Sequence, residues 1–329
     1  MRIYKDNITN RNKIFEELVV KSQAEMRKHV IQKLKEYGGK LHHGDGFVYH
    51  KGKFPVLLCA HMDTVHKQSI KTMVYANGTL SSPQGIGGDD RCGIYMIFEI
   101  LKEYDCHVVF LEDEEIGCIG AKKFIKTKLC KSLKDADLKY IIEFDRKGNN
   151  HAVTYDCDNK EFDDFITKEF FKKEYGTCSD ISYIAPTIGV AAVNLSCGYY
   201  KEHNIEEWVN LAEMERVIIE AKELLKRTKE LKTPFKYIEG LKRNYGWGYG
   251  YGGYNDWWGD DDYYYNRNYS SLGTTNIKKC FKFVYKDARD RITSQSIYAK
   301  DYTNSLLEFF TKHPTLRIED ILSINEGGK

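Results

Sequence analysis

Between Asn10 and Tyr37 apolar residues recur at helical spacing, with Ile14, Phe15, Leu18, Val19, Met26, Val30, Ile31 and Leu34 punctuating a charged face. One amphipathic helix is expected there, stopped by Gly38-Gly39. The period then changes. Asp45-Gly46 followed by Phe47-Val48-Tyr49, with a second turn at Lys51-Gly52-Lys53, reads as a hairpin. Pro55-Val56-Leu57-Leu58-Cys59-Ala60 is short, apolar and uninterrupted, the composition of a strand buried on both faces of a mostly parallel sheet.

Beyond a hairpin around Asn77-Gly78 the two periods alternate. Helical spacing runs from Arg91 to Tyr104, Gly120 to Thr127, Lys160 to Tyr175 and Ile205 to Leu231; strands are expected at Cys106 to Leu111, Tyr140 to Phe144 and Val190 to Ser196. Such alternation predicts an α/β three-layer sandwich, a mostly parallel central sheet flanked by helices. Residues 1–233 are assigned to this catalytic domain. Residues 234–276 shift to Gly, Tyr, Trp, Asn and Asp, as in Gly246-Trp247-Gly248-Tyr249-Gly250, and form no periodic apolar face. They read as a flexible linker or as an aromatic segment that adheres to a partner, a substrate or itself, so the 240–270 stretch is the one place that suggests a protein contact. Residues 277–329 suggest a small α+β C-terminal module, with strands at Cys280 to Val284 and Ser296 to Tyr298 and a helix at Tyr302 to Thr311.

Charge changes little in this picture, because a formal net charge of +2 over 329 residues offers no footprint for nucleic acid or an anionic membrane. Met1 to Asn7 is polar and lacks the apolar run of a signal peptide, and no stretch approaches a membrane-spanning length, which reads as a cytoplasmic protein. The nine cysteines are scattered singly, without a CxxC pair, and fit reduced thiols rather than a disulfide framework or a zinc finger.

The candidate chemistry lies at five places, each at the end of an expected strand or in the loop after it, where open α/β sheets put their sites. His61-Met62-Asp63 follows the first buried strand; residues two apart in extended chain point the same way, so Asp63 can reach the far imidazole nitrogen of His61. Gly85-Ile86-Gly87-Gly88-Asp89-Asp90 precedes a helix, where a helix cap accounts for one aspartate but not for the glycine cluster. Glu112-Asp113-Glu114-Glu115 places four acids after a buried strand, where they repel unless cations neutralise them. Asp145 in Glu143-Phe144-Asp145-Arg146 and His203 in Tyr200-Lys201-Glu202-His203 complete the set.

In that order, a His-x-Asp motif, a Gly-rich Asp-Asp stretch, a Glu-Glu pair, a lone acid and a late His, the sequence from Phe54 to Val209 resembles the co-catalytic zinc exopeptidases, which include peptidase T, glutamate carboxypeptidase and the bacterial leucyl aminopeptidases. The resemblance implies two Zn²⁺ ions, with Mn²⁺ or Co²⁺ as substitutes: one held by His61, Asp89 and Asp145, the other by Asp89, Glu115 and His203, so that Asp89 bridges them. It also implies Glu114 as general base and Asp63 as the residue that orients His61. The implied activity is hydrolysis of peptide bonds. Only residues 146–202 separate the lone acid from the late His, which leaves no room for the lid domain of carboxypeptidase-like relatives. An Asp at position 145 resembles the aminopeptidase and tripeptidase branch. Two rival readings stay open, an amidohydrolase or deacylase of N-acyl amino acids and a non-catalytic binding protein on the same scaffold. Thr177-Cys178-Ser179-Asp180 resembles the loop near the substrate pocket in these families but is equally a plain turn, and it receives no role here.

Overall fold

A computed structural model of the chain describes residues 1–6, 9–240, 279–287, 291–299, 302–313, 315–316 and 320–327. Strand β1 (Arg2–Lys5) precedes helices α1 (Lys13–Val19) and α2 (Gln23–Glu36). Strands β2 (Lys40–Gly44), β3 (Phe47–Lys51), β4 (Phe54–His61), β5 (Thr72–Ala76) and β6 (Thr79–Ser81) follow, then α3 (Gly88–Leu101) and β7 (Cys106–Leu111). Helices α4 (Ile119–Phe124) and α5 (Lys128–Ser132) lead to β8 (Tyr140–Arg146), β9 (His151–Val153), α6 (Lys160–Ile166), β10 (Lys172–Lys173), α7 (Ile181–Ile188) and β11 (Ala192–Ser196). A short pair, β12 (Tyr199–Tyr200) and β13 (Trp208–Asn210), precedes α8 (Leu211–Thr228).

The main sheet has eight strands in the order β10-β9-β11-β8-β4-β7-β3-β2. Its centre, β11-β8-β4-β7, is parallel, whereas the β3–β7, β2–β3 and β11–β9 pairings are antiparallel. The central strands are parallel because each is reached from its neighbour by a crossover that includes a helix, and β10 joins β9 in parallel through α6 in the same way; of the antiparallel pairs only β2–β3 is a hairpin. Alternate residues of β4 enter different cores. Val56, Leu58 and Ala60 pack with α1, α2, α3 and α8, while Leu57 and Cys59 pack with α4, α5 and α7. That is the three-layer sandwich, and it explains why β4 carries no polar residue before His61: both of its faces are dry, and each buried Leu contributes roughly 1.5–3 kcal/mol.

A second, five-stranded sheet, β1-β5-β6-β13-β12, sits beside the first. It matters for the site because the β12–β13 turn carries His203. Tyr200 and Trp208 stack at 4.2 Å across the base of that turn and hold its ends together.

Three expected elements differ in extent. The helix expected from Asn10 to Tyr37 is two helices, because Ser22 is a cap: its hydroxyl accepts from the Glu25 amide and Glu25 accepts from the Ser22 amide, a capping box that starts α2 afresh. The helix expected to reach Tyr175 ends at Ile166, after which Phe171 enters the core and Lys172–Lys173 extends the sheet beside β9. The terminal helix starts at Leu211 rather than Ile205, since Asn210 caps it by accepting from the Ala212 and Glu213 amides, both at 3.1 Å, and Trp208–Asn210 is a strand.

The C-terminal strands β14 (Lys279–Lys286) and β15 (Ile292–Ala299), helix α9 (Tyr302–Lys312) and a further strand β16 (Ile321–Gly327) form a three-stranded antiparallel sheet with one helix. Phe281, Phe283, Phe309 and Phe310 cluster with Val74 and Ala76 of β5, and Tyr4 stacks on Phe310 at 4.4 Å. The aromatic 240–270 segment lies outside the described residues from 241 onward. Among the described residues no helix is long and apolar enough to cross a membrane.

Gly93 sets how closely α3 approaches β8. A Cβ there would stand 2.1 Å from the Phe144 carbonyl oxygen and 2.5 Å from both Asp90 carboxylate oxygens, and the first of these is backbone that cannot yield. Gly93→Ala is expected to destabilise the fold by about 1–3 kcal/mol or more, read as a lower urea midpoint; an unchanged midpoint would show that the helix and strand are not so tightly apposed.

Candidate metal centre

The parallel strands bring the sequence-predicted residues to one edge. His61 ends β4, and Leu111, which ends β7, is its register partner. Cys59 pairs with Glu143 across β4 and β8, so His61 and Asp145 lie two residues further along their strands, side by side. Glu114 and Glu115 follow β7, Asp89 lies at the start of α3, and His203 arrives from the small sheet.

Asp89 stands between the two imidazoles. Its Oδ1 is 3.0 Å from His61 Nε2 and its Oδ2 is 3.4 Å from His203 Nε2. Asp145 Oδ1 is 3.4 Å from the same His61 nitrogen, and Glu115 Oε2 is 3.0 Å from His203 Nε2. The structure therefore brings His61, Asp89 and Asp145 together on one side and Asp89, Glu115 and His203 on the other, the grouping that the resemblance implied.

Asp63 joins both parts of this arrangement. Its Oδ1 lies 3.1 Å from His61 Nδ1 and accepts from the Glu114 amide at 3.0 Å, while its Oδ2 accepts from the Glu115 amide at 3.1 Å. A proton on Nδ1 leaves the Nε2 lone pair facing Asp89 and Asp145, the tautomer a cation ligand needs. One carboxylate thus orients the imidazole and the Glu114-Glu115 backbone together. Arg91, fully buried, donates to the carbonyls of Met62, Asp63 and Lys21 and fixes the end of β4; burial lowers its pKa to about 10. Its guanidinium is committed to carbonyls and does not hydrogen-bond the acidic cluster.

The aspartate that serves the helix start is Asp90. Its Oδ1 accepts from the Gly93 amide at 2.8 Å and its Oδ2 from the His61 amide at 3.2 Å. Asp89 has non-helical angles (φ −81°, ψ 104°) and turns toward the imidazoles. Gly88 permits this close packing, since a Cβ there would lie 2.7 Å from Val209 and 2.9 Å from Tyr199.

Sequence reasoning missed several supports. Glu207, buried, accepts from the Gly87 and Asp89 amides, each at 2.9 Å, and from His66 at 2.8 Å, clamping the loop that presents Asp89. Ser179 donates to Asp145 Oδ2 at 3.0 Å and Tyr199 to Asp145 Oδ1 at 3.3 Å, while Asn194 exchanges hydrogen bonds with the Asp145 backbone, both at 2.9 Å. Ser179 belongs to the stretch that resembles a loop near the substrate pocket and is equally a plain turn, to which the sequence alone gives no role.

The electrostatics favour a cation. Burial, then the Asp89 charge, raises Glu115 to about 7 and Asp145 to about 6. Burial also opposes the charge on Asp89, yet hydrogen bonds with His203 and His61 hold its carboxyl well below the usual range. His203 is raised to about 11 by hydrogen bonds to Asp89 and Glu115. Burial, followed by Asp145, pushes Glu114 well up. Glu115 Oε1 is buried with no hydrogen-bond partner. Ligand atoms of His61, Asp89 and Glu115 lie within 4.8 Å of one another, as do those of His61, Asp90 and Asp145. Two imidazoles and three gathered carboxylates form a donor set that suits zinc; Asp90 already spends its oxygens on backbone amides, which leaves Asp89 as the better donor of the pair.

No protein-family model matches this sequence, and no curated protein sequence does. Its structure is similar to that of aminopeptidase PepT from Bacillus cereus, at a TM-score of 0.53 and 15% identity over 66% of this chain and 97% of that one. It is similar also to a tripeptidase from Staphylococcus aureus, at a TM-score of 0.51 and 14% identity over 67% of this chain and 98% of that one. The fold on which this cluster is built is the one these two peptidase structures share.

Proposed function

We propose that this chain is a di-zinc exopeptidase that hydrolyses short peptides, of the aminopeptidase or tripeptidase type. The observation that carries the reading is Asp89, one buried carboxylate facing two imidazoles, each of which also faces one further acid. His61, Asp89 and Asp145 would hold one ion, and Asp89, Glu115 and His203 the other; Mn²⁺ or Co²⁺ would substitute in so oxygen-rich a set. The aminopeptidase and tripeptidase named above supply the substrate class.

Zinc held by these residues would supply Lewis acidity toward a water and toward the scissile carbonyl. Glu114 accepts the proton of that water and returns it to the leaving amine. Its backbone is fixed by Asp63, and burial with the Asp145 charge favours the proton-carrying form that it must reach. Glu207 and His66 hold the Asp89 loop from behind, and Ser179 and Tyr199 hold Asp145, so the cluster is oriented before substrate arrives.

Glu114→Gln is expected to lower kcat by roughly 10²–10⁴-fold on tripeptides or aminoacyl-anilides in added zinc, with zinc content by elemental analysis unchanged. Full activity in that variant would remove the mechanism. Preference for N-acyl amino acids in the wild-type panel would favour the deacylase instead.

Ligands must shed protons to bind a cation: His203 at about 11 holds its proton across the neutral range in the metal-free protein, and Glu115 at about 7 and Asp145 at about 6 hold theirs below those values. Zinc affinity is therefore expected to fall as pH drops from 7 through 6, with protons released on binding. Calorimetry of chelator-stripped protein in buffers of different ionisation enthalpy measures that release; binding with none at pH 6.5 would contradict the ligand assignment.

A further inference from the structure

Several cations beside the acidic cluster are already committed. Arg91 gives its protons to backbone carbonyls, Lys147 pairs with Glu202 at 2.6 Å, and Lys173 pairs with Asp163. Arg146, the residue after Asp145, differs: it is half-buried and, among the described residues, its guanidinium donates to the Tyr175 carbonyl at 3.1 Å and pairs with no acid. Its Nε is buried with no hydrogen-bond partner.

The register of the sheet shows where this cation stands. Strands β11 and β8 pair residue for residue from Ala192 with Ile141 to Leu195 with Phe144, and then Ser196 pairs with Arg146. Asp145 is thus the extra residue of a bulge, and Arg146 takes the side of the sheet that Ser196 takes. Next to β11 runs β9, with Asn194 opposite Val153 and Leu195 opposite Ala152; the His151 amide donates to the Ser196 hydroxyl at 2.9 Å, and that hydroxyl donates to the Lys147 carbonyl at 2.7 Å. Lys172 of β10 is the register partner of His151. Arg146, Ser196, His151 and Lys172 therefore form one row across four strand ends, with Arg146 at the end nearest the metal centre. Glu174, the acid that follows β10, pairs with none of them among the described residues.

We propose that Arg146 binds the C-terminal carboxylate of a dipeptide or tripeptide substrate, an inference that rests on the exopeptidase reading and gives it a specificity-determining residue.

The chemistry of the guanidinium suits that ligand. It carries five N–H donors and the Tyr175 carbonyl takes one, which leaves donors on Nη1 and Nη2 for the two oxygens of a carboxylate. The same loop serves both neighbours: its Tyr175 carbonyl holds Arg146, and its Ser179 hydroxyl donates to Asp145 at 3.0 Å. The cation is thus oriented by the segment that orients a candidate metal ligand. Reach also agrees. In a tripeptide cut after its first residue, the two remaining residues span at most about 7 Å, and the Cα atoms of Asp145 and Arg146 are about 3.8 Å apart. A carboxylate two residues beyond the scissile bond falls within the sweep of the Arg146 side chain, and Lys172 adds positive charge at the outer end of the row.

Binding is measured by calorimetry on zinc-loaded full-length Glu114→Gln, which should not turn the peptide over, with trialanine and its C-terminal amide as probes. The free acid is expected to bind roughly ten- to a hundredfold more tightly than the amide. Adding Arg146→Gln should remove that difference, and Arg146→Lys, which keeps the charge but loses the planar fork, should restore part of it. Equal binding of acid and amide with Arg146 intact would overturn the inference, and that arm does not depend on how an Arg146 variant folds. A preference for the acid that survives Arg146→Gln would overturn it as well, as would binding of neither probe. Turnover by wild type separates this result from the peptidase reading: trialanine hydrolysed with no preference for the acid removes the role of Arg146 and leaves the peptidase, whereas preferential binding of the acid with no hydrolysis by wild type counts against the peptidase and leaves the carboxylate site.

Discussion

The arrangement depends on the mutual repulsion of Asp89, Glu115 and Asp145, three carboxylates gathered in a buried pocket around two imidazoles. Among the described residues nothing neutralises them fully. Arg91, the buried cation nearest in sequence, gives its protons to backbone carbonyls. Asp89 keeps its charge by sharing hydrogen bonds with both histidines, and the acids on either side of it are driven upward by burial and by that charge. Buried like charges persist only where something of opposite sign offsets their desolvation. A pair of divalent ions on the two sides of Asp89 would do so, and would also occupy the unpartnered oxygen of Glu115.

The fold exists, for this purpose, to hold that unfavourable cluster still. Parallel strands place His61 and Asp145 side by side and let Glu114 and Glu115 follow from a third strand end, while the small sheet carries His203 over from the side. Each acid is then fixed from behind. Asp63 couples His61 to the Glu114-Glu115 backbone, Glu207 pins the Asp89 loop, and Ser179 with Tyr199 sets Asp145. Because the supports come from distant parts of the chain, the cluster assembles only when both sheets are in place.

The residues gathered at the site were legible in the sequence because each motif is local: an acid or imidazole directly after a buried apolar run, in an order that the resemblance to zinc exopeptidases picks out. The supports were not. Glu207 contacts residues near position 88, and nothing in the run Glu206-Glu207-Trp208 separates a clamp from the first turn of a helix, which is how the sequence reads there. Ser179-Asp180 looks like any turn until the structure brings it to Asp145. His66, five residues beyond His61, gave no signal because its partner Glu207 lies far along the chain. Element ends failed where a cap decides them: Ser22 with Glu25, and Asn210, break patterns that apolar periodicity alone runs together. The parallel character of the sheet was read from β4, which is dry on both faces; the antiparallel pairs β3–β7 and β9–β11 join strands distant in sequence, which that run of residues cannot report.

The central claim is that two cations sit on either side of one carboxylate. Anomalous diffraction at the zinc absorption edge, from crystals grown with zinc, measures this directly. Two peaks are predicted, one among His61, Asp89 and Asp145 and the other among Asp89, Glu115 and His203. An absence of peaks there, or zinc bound only elsewhere on the protein, would contradict the account.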